Sequence, residues 1–252
     1  MSSRKRDASA KDETEWKHFE MFRQKLADFP MGQVQKVPPP AADFRVDTPQ
    51  GALGIELARI IDGPLREQEV LREMAVEAGR LEYMRRGRPN VEVHFLWLNS
   101  PNKGAECRPL GLRFANLVEA HIPPDTGNVE SIELTWLELR SADLSRLVHS
   151  IRIIRFPNVP LMWASSEGGW FDARADVVNG VVAQKTLKLP EYRRSCPQVW
   201  LLLVADGEGI SGFVDHEDVA ALEVESSFDR VYFLDFWSAH LHQLRASRPA
   251  DK

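Results

Sequence analysis

Cysteine is nearly absent from this 252-residue chain: only Cys107 and Cys196 occur, far apart, with no CxxC and no histidine spacing around them. A disulfide framework or a zinc site is therefore not what organises the fold, and a reducing cytoplasm is the expected compartment. No apolar run approaches the roughly 18 residues a spanning helix needs, and the start MSSRKRDASAKDE has no apolar signal core, so no membrane is expected as a partner. Excess positive charge is missing too. The formal charge is -5 and the pI about 5.9, so any contact with a polyanion has to be local. There is no GxSxG elbow, no P-loop and no GxGxxG; Gly207-Glu208-Gly209 lacks the third glycine. Internal repeats and low-complexity tracts are absent beyond the ends.

What is present is a substantial apolar complement, 43% of residues with seven Trp and twelve Phe, enough for a real core. Residues 1–13 are polar and read as frayed. From Glu13 to Phe29, Trp16, Phe19, Phe22, Leu26 and Phe29 recur at three- and four-residue steps, an amphipathic helix ended by Pro30 and Gly32. Glu15 and Glu20 lie on it, Glu20 beside the apolar stripe. Gln33 to Pro40 reads as an extended linker.

The informative stretch is Ala41–Ile61, AADFRVDTPQGALGIELARII. Two alternating arms around Pro49-Gln50-Gly51 predict a β-hairpin. Each arm carries an acid in apolar company, Asp43 and Glu56. Carboxylates are depleted in strands and seldom buried alone. Two on neighbouring strands either converge on a divalent cation, which favours hard oxygens, or are solvated acids of a surface hairpin.

Beyond the hairpin the spacing predicts a polar helix over about Leu65 to Arg86. Its end gathers Arg80, Arg85, Arg86 and Arg88, read either as ordinary helix termination or as a phosphate contact. VEVHFLWL (Val91–Leu98) is a strand with His94 on its polar side. Pro109–Ala120 reads as helix, 129–148 as strand or helix, and SIRIIRF (Ser150–Phe156) as strand. Leu161 to Ala173 reads as a hairpin holding Trp163 and Trp170, two rings for core packing or for base stacking.

Val177, Val181, Val182, Leu187 and Leu189 predict a helix stopped by Pro190, with Gln184, Lys185, Lys188 and Tyr192 at helical spacing. VWLLLVA (Val199–Ala205) is a fully buried central strand. A helix over Asp215–Ser226, capped near Asp215, a strand over Phe228–Phe236 and a short amphipathic tail complete the chain. His240 and His242 would face different sides of a helical tail, a poor metal pair.

In order and motif content the chain resembles the PD-(D/E)XK nuclease superfamily. The matching residues are Asp43 after a proline run (PPPAADF), Glu56 in GIEL thirteen residues later, and the helix with Gln184, Lys185, Lys188 and Tyr192 that feeds the strand WLLLV. The resemblance implies an α/β fold, an α+β mixed sheet with a restriction-endonuclease-like core. On that reading residues 1–252 form one domain, with core segments about 13–61 and 176–236 and an insertion of about 62–148.

It further implies a Mg²⁺- (or Mn²⁺-) dependent nuclease acting on DNA. Asp43 and Glu56 would hold the metal, and Glu20 would add a ligand. The family lysine two residues after the glutamate is replaced by Ala58, followed by Arg59. Lys185 or Lys188, with Gln184 beside it, would then supply the missing charge. Asp47 rivals Asp43 as the first acid. The alternatives are a catalytically silent nuclease-fold module that binds nucleic acid or a protein partner, in phage defence, a toxin–antitoxin pair or a mobile element, and a regulatory protein with no nucleic-acid role. A second copy of the chain as partner is equally open.

Overall fold

The computed structural model describes residues 3–166, 175–207 and 209–248. Helix α1 (Ser3–Lys25) leads into strands β1 (Gln33–Lys36), β2 (Phe44–Thr48) and β3 (Gly51–Arg59). There follow α2 (Gly63–Arg85), β4 (Glu92–Trp97), α3 (Gly104–Ala120), β5 (Glu130–Leu134), α4 (Trp136–Ser141), β6 (Val148–Arg155) and β7 (Met162–Ser166). The chain closes with α5 (Ala175–Thr186), the short α6 (Leu189–Tyr192), β8 (Gln198–Ala205), a 3-10 turn at Ile210–Gly212, α7 (His216–Ala220), β9 (Glu223–Glu225), β10 (Arg230–Asp235), β11 (His240–Gln243) and β12 (Arg245–Ser247). This is a mixed α/β protein with mixed sheets. It divides into two compact units, Met1–Asp62 with Phe171–Lys252, and Gly63–Trp170.

The terminal unit is built on a six-stranded sheet in the order β1-β2-β3-β8-β10-β11. Its three middle strands, β3, β8 and β10, are parallel; the outer pairings are antiparallel. Every residue of β8 after Gln198 is buried, as a strand covered on both faces should be. One face packs Ile55, Leu57, Leu202 and Val204 against Phe19 and Phe22 of α1. The other packs Ala58, Leu201 and Leu203 against Val178 and Val182 of α5.

Several boundaries differ from expectation. α1 begins at Ser3 rather than near Glu13, because Arg, Lys and Ala between them are good helix formers. The linker Gln33–Pro40 contains β1, an edge strand that takes its hydrogen bonds from β2. Pro190 does not stop the helix: α5 ends at Thr186 and Pro190 sits in the first turn of α6, where its missing N–H costs nothing. The helix expected over 215–226 is only His216–Ala220. It is capped as expected by Asp215, whose carboxylate accepts from Glu217 N at 2.8 Å and Asp218 N at 3.4 Å. β9 then takes the rest, paired in parallel with β12.

The inserted unit has a four-stranded sheet, β5-β6-β4-β7, with α2 and α3 contributing to its core through Ala75, Tyr83, Leu110 and Phe114. The ambiguous 129–148 stretch splits into strand and helix at Thr135. The α2–α3 crossing depends on two glycines. A Cβ on Gly111 would lie 2.6 Å from Gly79 N and 2.8 Å from Ala75 O, and one on Gly79 would lie 3.0 Å from Gly111 O. Trp163 is buried beside Phe95 and Tyr83 (ring centroids 5.6 and 5.5 Å), a core residue and not a stacking surface. Trp170 and the turn of that expected hairpin lie outside the described residues. No helix among the described residues is long and apolar enough to cross a membrane.

Candidate functional site

Parallel strands end their backbone hydrogen bonding at one edge of a sheet, and side chains there face a crevice that loops and helices wall in. β3 delivers Glu56 close to that edge. Its neighbours Ile55 and Leu57 go to the α1 side, so alternation sends Glu56 and Ala58 to the α5 side. Glu56 is only 4% exposed. From α5, Lys185 reaches across and donates to Glu56 Oε1 at 2.5 Å and to the Leu57 carbonyl at 3.2 Å. Ala58 is small and buried in the α5 face, which leaves room at the strand for a lysine approaching from the helix.

Asp43 stands just before β2. Its Oδ2 accepts from Leu57 N–H at 2.9 Å, which pins the first acid against the residue after the second. Gly54 allows this close approach of the two arms: a Cβ there would come within 3.2 Å of Ala42 Cβ and Cys196 Cβ. Burial, and then the charge of Glu56, push the Asp43 carboxyl up to about 6, with the Leu57 N–H opposing them. Tyr192, buried at the end of α6, has its hydroxyl hydrogen-bonded to Glu56, and burial followed by the Glu56 charge raises its phenol well above the ordinary range.

Asp43 and Lys185 border a cleft of about 580 Å³ whose lining also includes Glu15, His18, Leu57, Arg59 and Gln184; Glu56 and Tyr192 do not line it. Asp43 and Glu56 with Lys185 come together in the structure, and Gln184 lines the same cleft. Lys188 does not join them: it is exposed in the turn after α5, where it precedes α6. Glu20 is not in the lining and pairs with Arg23 at 3.6 Å. The helix α1 acid that does line the cleft is Glu15, held by Lys36 at 2.6 Å. Asp47 is occupied by Arg45 at 2.8 Å.

The signal for Glu15 was present in the sequence: residues 15, 19, 22 and 26 form one stripe, so Glu15 continues the buried face of α1 while Glu20 lies beside it. His18, also buried, packs edge-on against Phe236 at 4.7 Å and lines the cleft. Arg59 forms an ion pair with Asp206 at 2.5 Å. No local pattern marks Asp206, which meets Arg59 only through the β3–β8 pairing.

His240 and His242 lie on a strand, not on a helix, because β11 pairs with β10. Two apart on a strand they share a face, and His216 joins them with ring centroids 4.3 and 6.0 Å away. Among the described residues, no group of three or more His, Cys, Asp and Glu is arranged to hold a metal ion. Asp43 and Glu56 are a pair of hard oxygen donors, and Mg²⁺ is commonly held by one or two carboxylates together with waters and substrate phosphate. Burial first, and then the Glu56 charge, hold the Asp43 carboxyl up; a divalent cation beside both acids would offset the second of these, so the donor set fits such an ion. The Arg80, Arg85, Arg86 and Arg88 cluster is matched by acids: Glu77, Glu82 and Glu119 take all four. No protein-family model, no curated protein and no solved structure matches this chain.

Proposed function

We propose that the terminal unit is a Mg²⁺- or Mn²⁺-dependent nuclease-like phosphodiesterase acting on DNA, with Asp43 and Glu56 as metal-holding acids and Lys185 as the charge-stabilising cation. The observation that carries this is the convergence of the three from separate elements, with Lys185 Nζ 2.5 Å from Glu56 Oε1. The element order also supports the restriction-endonuclease-like reading: α1, three antiparallel strands, then α5 and the parallel strand β8, with Gly63–Trp170 inserted between β3 and α5.

The residues act in complementary ways. Asp43 Oδ2 is taken by Leu57 N–H, which leaves Oδ1 to offer a metal; Glu56 is held by Lys185 at Oε1 and by the Tyr192 hydroxyl, so a metal would compete with these donors for a Glu56 oxygen. A bound divalent ion supplies an activated water and neutralises charge on the scissile phosphate. Lys185, on a helix and hydrogen-bonded at two points, is pre-oriented toward negative charge that grows during cleavage, which is where a fixed donor acts most strongly. Tyr192 steadies Glu56 through its own hydrogen bond.

A second reading, a nuclease-fold module that binds without cleaving, draws on the same ion pair, because the Lys185 ammonium occupies an oxygen that a metal would use. Calorimetry with Mg²⁺ and Mn²⁺ on wild type beside Glu56→Gln separates them. Uptake that vanishes in the variant, followed by metal-dependent cleavage of DNA, supports the enzyme. Absence of uptake in wild type, with or without DNA present, removes it and leaves the binding module.

A further inference from the structure

The strongest unexplained feature outside the carboxylate pair lies at the same edge of the sheet. β3, β8 and β10 end in register there, with Arg59 opposite Val204 and Val204 opposite Leu234. Just beyond is a second cavity of about 240 Å³, lined by Ala205, Gly207, Phe213, Asp235 and Trp237. Two of these are large aromatics left in solvent: Trp237 is 86% exposed and Phe213 54%. The Arg59–Asp206 ion pair links the two spaces. Arg59 lines the cleft, and Asp206 falls between Ala205 and Gly207 of the second cavity.

Trp237 is held in place. Asp235 Oδ1 accepts from Trp237 N at 3.0 Å and Ser238 N at 3.3 Å, Ser238 Oγ donates to Asp235 Oδ2 at 2.5 Å, and Ala239 closes the turn with φ 57°. A non-glycine residue in the left-handed region is strained and persists only where its surroundings fix it. The indole is thus presented on a stiff turn, so little backbone freedom is lost on binding a partner. The cavity is smaller than the roughly 300–1,000 Å³ typical of drug-sized ligands, so its natural occupant is a single flat ring. Asp235 already accepts three bonds from the turn, which leaves ring faces as the dominant recognition element.

Resting on the phosphodiesterase reading, we propose that the Trp237–Phe213 cavity is a stacking subsite for one unpaired base of the nucleic-acid strand whose backbone enters the cleft. Glu56 pairs with Leu201, four residues before Ala205 and two strands from Asp235. At about 3.3 Å per residue and about 4.8 Å per strand, the subsite is roughly 16 Å from the carboxylates, within a few nucleotides of backbone. A base in duplex is not free to stack on an external indole, so the strand is single or frayed at that point. Every base has a π-face, so the subsite tolerates sequence.

The test is fluorescence anisotropy of labelled single-stranded oligo-dA with wild type, Trp237→Ala, Trp237→Phe and Phe213→Ala, repeated with a matched abasic oligonucleotide. The expected result is a loss of about five- to a hundredfold in affinity for Trp237→Ala, near-retention in Trp237→Phe, and no difference between wild type and Trp237→Ala on the abasic strand. Because Trp237 is almost wholly exposed, its removal leaves the fold unchanged, and matching melting curves check this. Equal affinity of Trp237→Ala and wild type for oligo-dA overturns the subsite, even if Glu56→Gln abolishes metal uptake and the phosphodiesterase reading stands. If oligo-dA binding requires Trp237 while Glu56→Gln takes up Mg²⁺ as wild type does, the subsite stands and the metal assignment falls.

Discussion

The two units of this chain place their charges in opposite ways. In Gly63–Trp170, most arginine–glutamate pairs lie on helix surfaces, as with Arg80 and Glu77 or Arg85 and Glu82, with buried Glu69 beside Arg66 the exception, and exposed pairs contribute little to stability. In the terminal unit, Glu56 and Asp206 are almost fully buried at the ends of strands, each matched by one cation from a different element. Burying ions costs several kcal/mol that pairing only partly returns, so these groups are poor devices for stability. The lesson is one of placement: the inserted unit carries most of its charge pairs on helix surfaces, and the terminal unit buries two of its own near where its parallel strands end.

Lys185 is the sharpest place to break that contrast. Lys185→Ala is expected to slow metal-dependent cleavage by about a hundred- to a thousandfold, the loss seen when a fixed transition-state donor is removed. The same variant should bind Mg²⁺ at least as tightly as wild type, because the ammonium no longer occupies Glu56 Oε1. A purely structural lysine would show the reverse, weaker metal binding with little change in rate per bound metal. Lys188→Ala, exposed and outside the cleft, serves as the silent control.

The matching test in the inserted unit concerns packing. Gly111→Val forces side-chain atoms against the Gly79 and Ala75 backbone, which flexible neighbours cannot relieve, at an expected cost of about 3 kcal/mol. Hydrogen exchange should show weakened protection within Gly63–Trp170, while Mg²⁺ uptake through Asp43 and Glu56 is retained. Loss of metal uptake in Gly111→Val would mean that the site draws on the insertion.

Much of the site was legible because it breaks local rules. Asp43 and Glu56 stand out as acids in apolar company, the run Val199–Ala205 reads as a buried strand, and Lys185 stands at helical spacing in the helix that leads toward it. What was illegible depends on partners distant in sequence. β1 and β11 are strands only because β2 and β10 supply their hydrogen bonds, so no propensity in Gln33–Lys36 or His240–Gln243 announces them. Glu15 and Glu20 differ by where the α1 stripe faces, and only its extension one turn back from Phe19 chooses between them. Asp206 and Arg59 meet because β3 and β8 pair, far apart in the chain though they are.

Asp43 gives a smaller effect, in pH. Its carboxyl is raised to about 6 in the folded chain, against about 3.9 when unfolded, so the folded state binds the proton more tightly. The resulting penalty on folding is therefore fully present above about pH 6 and is relieved as pH falls toward 4. Metal uptake runs the other way, because the carboxylate must be ionised to serve as a ligand. Mg²⁺ affinity should fall about tenfold per unit below pH 6, and without metal the terminal unit should gain stability over the same interval. Asp43→Asn should flatten the stability profile. A stability profile in Asp43→Asn that still rises on acidification through pH 6 would assign the titration to another group.

The smallest expected effect concerns the most basic stretch of the sequence, at the end of α2. Arg85 and Arg88 are each met by a glutamate, Glu82 and Glu119, and hydrogen bonds from Arg85 and Arg86 hold the Glu82 carboxyl down at about 2. With four arginines held by three glutamates, the patch has little net attraction left to offer a phosphate backbone. The double variant Arg85→Ala/Arg88→Ala should therefore bind single-stranded or duplex DNA within about twofold of wild type. Its plot of log affinity against log salt should keep the same slope, whereas every phosphate that the variant no longer neutralised would change that slope by about 0.9 on duplex DNA. A slope reduced by one or two such steps would transfer part of the nucleic-acid surface to the inserted unit and erase the division of labour between the two.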